Sequence, residues 1–162
     1  MRNQLLNIVW TIIGFLPVCL FWFNVEIGLS FLISLICSFV AACLPERIYV
    51  QLHISKDYKK FEALGVRFLK RFSQHGDFKK NGAKGIKSYL GTLAMFERFH
   101  YICLVFFLAS CIYAFLDQQI VLGLMIFLAN AIYNVFPILL QQYNRLRMMK
   151  VLNQLSSKAK AT

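Results

Sequence analysis

The apolar residues of this chain are blocked rather than periodic. Four runs, roughly 5–23, 27–44, 99–116 and 120–140, are almost free of charge. Each approaches the ~20 residues that a helix needs to cross a hydrocarbon core. In lipid every backbone N–H and C=O must find a partner within the protein, so helices are the expected solution. The pattern predicts an all-α protein, a four-helix transmembrane bundle forming one integral membrane domain over 1–162. Between spans two and three lies a different stretch, 45–98, too apolar for a disordered linker and too charged to span. From Tyr58 its larger apolar residues recur as Phe61, Leu64, Phe68, Leu69 and Phe72, with Lys59, Lys60, Glu62, Arg67, Lys70 and Arg71 between them. That spacing predicts an amphipathic helix over 58–72, lying in the membrane interface with its aromatics toward lipid or the bundle. Turns follow at Gln74-His75-Gly76-Asp77 and Asn81-Gly82, and a further helix is expected from near Ile86 into span three.

Charge then sets the orientation. The chain is 59% hydrophobic, yet carries 18 Lys+Arg against 7 Asp+Glu. All the basic residues fall before span one, in 45–98, or in the tail 141–162. The turns Asn24-Val25-Glu26 and Asp117-Gln118-Gln119 have none. Under the positive-inside rule both termini and the middle segment are cytoplasmic, in a multi-pass protein of the cell (plasma or inner) membrane. The same rule accounts for the basic excess without nucleic acid, because these residues adjoin spans and interleave with membrane-seeking aromatics. Near an anionic leaflet each well-placed one contributes about 1 kcal/mol, which makes membrane lipids the first expected partner.

Two other patterns are read as structural. Ser30, Ser34, Ser38 and Ala42 recur every four residues in span two, a small-residue face suited to close helix packing within the bundle or in a homo-oligomer. The five cysteines all sit in spans and show no metal-like pairing, so they read as buried, inert thiols.

The candidate chemistry lies at the cytoplasmic ends of spans three and four. Asn130, Asn134, Gln141 and Arg145 fall within roughly 60° of one another on a helix, and polar groups at membrane depth mark functional sites by default. Glu97 and His100, three residues apart, project to one side of span three, where a carboxylate can fix the tautomer of an imidazole that removes a proton. The three-residue turn Asp117–119 makes the two spans antiparallel neighbours, and counting from it puts both groups at similar depth. Pro137 cannot donate to the carbonyl of Tyr133, so a kink and a free acceptor are expected beside Asn134.

At these residues the chain resembles a known family. Glu97-x-x-His100 at the head of an apolar segment, and Asn134-x-x-Pro137-x-x-x-Gln141-x-Tyr143-Asn144-Arg145, are similar to the glycosyl-diaponeurosporenoate acyltransferases of staphyloxanthin-type carotenoid biosynthesis. So are Leu44-Pro45-Glu46-Arg47 and Phe61-Glu62-x-x-Gly65. The resemblance implies a small membrane enzyme that passes a fatty acyl group to a lipid-like, glycosylated acceptor. It implies no cofactor, only an acyl-coenzyme A or acyl-carrier thioester as cytoplasmic co-substrate. In that reaction His100 would be the base and Glu97 would orient it. Asn134 or Gln141, or both, would donate to the oxyanion, and Tyr143, Asn144 and Arg145 would complete the substrate site, Arg145 on the donor's phosphates. No Gly-rich phosphate loop, Gly-x-Ser-x-Gly elbow or His-Glu-x-x-His metal motif occurs, so direct transfer without metal or covalent intermediate fits best. Two alternatives stay open: a non-catalytic membrane adaptor or lipid-binding protein, and a metal-dependent lipid oxidase or desaturase, for which the three histidines are few.

Overall fold

The computed structural model describes residues 2–25, 27–55, 57, 60–61 and 82–161. The chain is all-helical, without a strand among the described residues. Helix α1 is Arg2–Asn24, α2 Leu29–Ala42, the short α3 Glu46–Gln51 and α4 Gly82–Leu116. Helix α5, Ile120–Asn130, continues through one π-helical stretch, Ala131–Val135, into α6, Phe136–Ala161. The helix expected over 58–72 lies almost wholly outside the described residues. Of its aromatics only Phe61 is described, and it is buried against Tyr143 on α6.

Two helices are long and apolar enough to cross a membrane. They are α4, with a mean hydropathy of 2.1 in its most apolar window, and the composite helix Ile120–Ser157, at 1.9. The outer faces of these and of α1 carry large aliphatic and aromatic side chains in the open, Phe23 on α1 at 84% exposure and Val121 on α5 at 72% among them. In water such a surface would aggregate. It is the surface of a membrane protein.

Helix α4 is central: α1, α2, α5, the π stretch and α6 all pack on it. Val18, Phe21 and Trp22 of α1 meet Phe107, Cys111 and Ala114 of α4 and Ile126 of α5 in the main core. Lipid tails are as apolar as these side chains, so close packing and polar contacts, rather than apolar burial, hold the helices together. Trp22 shows both: its ring stacks on Tyr113 at 5.6 Å, and its Nε1–H donates to Ser110 Oγ at 2.9 Å. The serines of α2 point inward, Ser34 and Ser38 being buried, and each hydroxyl donates to the carbonyl four residues back. The small-residue face thus lets α2 approach α4 within the bundle.

The turn between α4 and α5 is closed by its own backbone. Gln119 N–H donates to the Ala114 carbonyl at 2.9 Å and Gln118 N–H to that of Phe115 at 3.2 Å, a Schellman arrangement. It places Gln118 at φ 61°, the left-handed region that favours glycine. The turn is short, so α4 and α5 are antiparallel and His100 comes level with the π stretch.

Candidate functional site

One polar seam runs between α4 and the composite helix. On α4, Glu97, the adjacent pair His100 and Tyr101, and the Leu104 carbonyl follow at steps of three to four residues, hence on one face. Opposite them stand Asn130, Asn134, Gln142 and Arg145, spread over roughly 22 Å of helix. The seam holds two clusters.

The inner cluster is a chain of amides. Asn130 Nδ2 donates to the Leu104 carbonyl at 3.3 Å, and Asn134 Nδ2 donates to Asn130 Oδ1 at 2.8 Å. Asn134 Oδ1 then faces His100 Nδ1 at 3.5 Å. A backbone carbonyl can only accept, so the polarity of the whole chain follows from Leu104. Asn130 must turn its NH₂ to Leu104 and its oxygen to Asn134, and Asn134 in turn presents an oxygen to the imidazole. The proton of neutral His100 is thereby held on Nδ1, which leaves Nε2 with its lone pair. Asn130 and Asn134 are buried while His100 is half-buried, its ring edge-on to Tyr133 at 5.8 Å.

The outer cluster surrounds Glu97, which is only 2% exposed. Gln142 Nε2 donates to Glu97 Oε1 and to the Tyr101 hydroxyl, both at 3.1 Å, while Gln142 Oε1 accepts the Ile54 N–H at 3.2 Å. His53 Nε2 lies 3.1 Å from the same Glu97 oxygen, a close polar contact without the alignment of a hydrogen bond. Arg145 Nη1 stands 4.0 Å from Glu97 Oε2, and Nη2 stands 3.9 Å from Glu46 Oε1 on α3. Burial holds the His53 imidazole below its ordinary value, a shift that the Glu97 carboxylate opposes and the Arg145 guanidinium reinforces. Tyr49 of α3 donates to the Ala41 carbonyl, packs on Tyr101 and carries Arg98 over its ring at 5.0 Å. The segment after α2 is therefore clamped to the mouth of the seam.

Of the residues expected from sequence, His100 and Asn134 meet in the inner cluster, and Glu97 and Arg145 in the outer one. Glu97 is engaged by His53 and Gln142, and His100 by Asn134. Gln141 is off the seam, its buried Oε1 without a hydrogen-bond partner among the described residues. Tyr143 packs against Phe61 under Arg147, and Asn144 is buried beside it. Sequence reasoning missed His53, Tyr101 and Gln142. The π stretch explains Gln142. Phe136 N–H bonds to the Ala131 carbonyl five residues back, so this turn holds one surplus residue. On an uninterrupted α-helix Gln142 lies about 120° from Asn130, and a surplus residue takes back about 100°, bringing it onto the stripe. The same offset swings Gln141 about 80° away. His53 left only an indirect trace, a buried carboxylate at Glu97 in need of polar company.

A family model described as glycosyl-4,4'-diaponeurosporenoate acyltransferase matches residues 45–154, which include every residue of both clusters. The chain belongs to this family and is an acyltransferase of carotenoid biosynthesis. No curated protein and no solved structure matches it.

Proposed function

Since the chain is an acyltransferase of this family, we propose that it works inside the bilayer, moving a fatty acyl group from a cytoplasmic thioester to a hydroxyl of a lipid-like, glycosylated acceptor. The observation that carries this reading is the amide chain that leaves His100 Nε2 proton-free at the edge of an apolar bundle. His100 takes the acceptor's hydroxyl proton, and the oxygen attacks the thioester carbonyl. The C–S bond then breaks, and the leaving thiolate takes the proton that His100 had accepted, which restores the base. Asn134 keeps one amide N–H beyond its bond to Asn130, and this is the donor for the oxyanion. Arg145, at the cytoplasmic end of the seam, receives the donor's charged end. The 3.5 Å contact to Asn134 has the looseness usual before substrate binds.

In this reading four segments span the bilayer: the two long apolar helices, α4 in its apolar part and α5 continuing into α6, and the shorter apolar helices α1 and α2. Helix α4, at 35 residues, is roughly 50 Å long against a ~30 Å core, so its N-terminal half stands in the cytoplasm with Lys84 and Lys87. Helix α2 has only 14 residues and is short for a span, which the bilayer accommodates by local thinning. Both termini are then cytoplasmic and Gln118 faces the opposite side. In a cysteine-free background, Gln118→Cys should be labelled only from that opposite side; labelling from the cytoplasm alone would overturn the topology.

The catalytic test is His100→Ala. It should lower turnover by about 10²–10⁴, the usual scale for a positioned base, while the protein still inserts and folds. Near-normal acyl transfer by the purified variant would remove His100 from the mechanism.

A further inference from the structure

Arg145 is the least satisfied charged group of the seam. Its side chain is 12% exposed and carries five N–H donors, yet among the described residues it makes no hydrogen bond. It has two carboxylate neighbours, each at the outer limit of ion pairing and each reaching a single nitrogen. A guanidinium of this kind is built for an oxyanion that takes both nitrogens at once. The two acids differ in freedom. Glu97 is buried, and His53 and Gln142 hold its other oxygen. Glu46 is 72% exposed at the first residue of α3, where it can swing into solvent. Arg98 over Tyr49 and Arg147 over Tyr143 add positive charge at the same end.

We propose that Glu46 is a displaceable occupant of Arg145, and that a phosphate group of the acyl donor takes its place across Nη1 and Nη2. This rests on the acyl-transfer reading and names the donor's chemistry: a thioester whose carrier bears phosphate. The exchange forms no covalent bond. It releases Glu46 to water, where a carboxylate costs little, and gives the nearly buried arginine a bidentate partner. The phosphate thereby anchors the donor at the cytoplasmic mouth, from which the seam leads inward to His100.

The test uses the full chain in phosphatidylcholine nanodiscs, with an acyl-coenzyme A and a phosphate-free acyl-pantetheine as donors. Wild type should show a lower KM for the coenzyme A thioester. Glu46→Gln, at an exposed position that does not endanger folding, should lower that KM about two- to fivefold at unchanged kcat, the scale of one exposed ion pair. It should leave acyl-pantetheine unaffected. Arg145→Gln should raise the coenzyme A KM about 10- to 100-fold, the scale of lost charged hydrogen bonds, and close the gap between the donors. Arg145→Lys, which keeps the charge without the fork, should fall between. Adding Glu46→Gln to Arg145→Gln should change nothing further. The proposal is overturned if Glu46→Gln leaves both KM values unchanged or raises them, or if the gap survives Arg145→Gln. Repeating the assay with phosphatidylglycerol separates the sources. If the two thioesters show no gap while Glu46→Gln changes the response to that lipid, the phosphate belongs to a headgroup and the donor assignment fails. Failure of the anion site also differs from failure of the function. His100→Ala still lowers turnover by about 10²–10⁴ in the first case and not in the second.

Discussion

Exchanging Gln142 and Gln141 for leucine, one at a time, tests whether the π turn sets the face that α6 presents to α4. Gln142 is fully buried and makes three hydrogen bonds. Gln142→Leu keeps the volume and removes all three. The bonds to Ile54 N–H and the Tyr101 hydroxyl contribute about 1 kcal/mol each, and the charge-assisted one to Glu97 about 1.5–3 kcal/mol. A better-matched apolar side chain returns about 1 kcal/mol, so the net loss is about 3 kcal/mol. For a chain of this length that lowers Tm by roughly 6–12 °C. Gln141→Leu does the opposite, because a buried carbonyl oxygen without a partner is replaced by methyl groups; the change should be neutral or raise stability by up to about 1 kcal/mol. Thermal unfolding of both variants in one detergent, followed by loss of helical circular dichroism, gives the comparison. If Gln141→Leu is the more damaging, α6 continues α5 in unbroken α-helical phase and the seam has been drawn on the wrong face.

Four further outcomes follow from local geometry. His53 has its pKa lowered from 6.5 in the folded state, so below about pH 6.5 the unfolded chain takes up a proton that the folded one refuses. Stability contributed by neutral His53 is thus present above pH 6.5 and lost as pH falls through the folded value, and His53→Gln should flatten that part of a stability–pH profile; an unchanged slope would reject it. A Cβ on Gly14 would meet Tyr133 Cδ2 at 2.6 Å, inside the cluster that Tyr133 forms with Phe15 and Phe107. Gly14→Ala should cost about 1–3 kcal/mol and slow transfer as well, since Tyr133 borders His100. Gly123→Ala meets only the half-open ring of Phe115 and should cost less, which the same melts would show. Finally, Gln118→Gly should stabilise by about 1 kcal/mol by relieving a left-handed backbone, and a lower Tm would mean that the Gln118 side chain matters more than its φ.

The helices were legible because their apolar blocks are long and the turns between them carry polar residues. The inner cluster was legible for a related reason: Asn130 and Asn134 precede any irregularity, so α-helical spacing places them correctly, and the three-residue turn sets their level against His100. Beyond Asn134 the same arithmetic failed by one residue. Pro137 announced a disturbance, but a proline tells a reader that a helix changes there, not whether it bends or takes in an extra residue. His53 was beyond local reasoning, since its partner is 44 positions away and reaches it only through the packing of the segment after α2. Glu97 was read as a servant of His100 because spacing on one helix is visible in sequence and contact between helices is not.

The protein contains two tryptophans, and the fold gives them unlike surroundings. Trp10 is half exposed on the outer face of α1, whereas Trp22 is buried between α1, α2 and α4 with its indole N–H bonded to Ser110. They stand roughly 18 Å apart along one helix. Brominated acyl chains in the surrounding lipid should therefore quench Trp10 and leave Trp22 bright. The residual emission watches the end of the bundle remote from His100, without an added label. A variant that loses transfer but keeps the Trp22 emission has been altered at its chemistry; one in which that emission reddens has lost its packing.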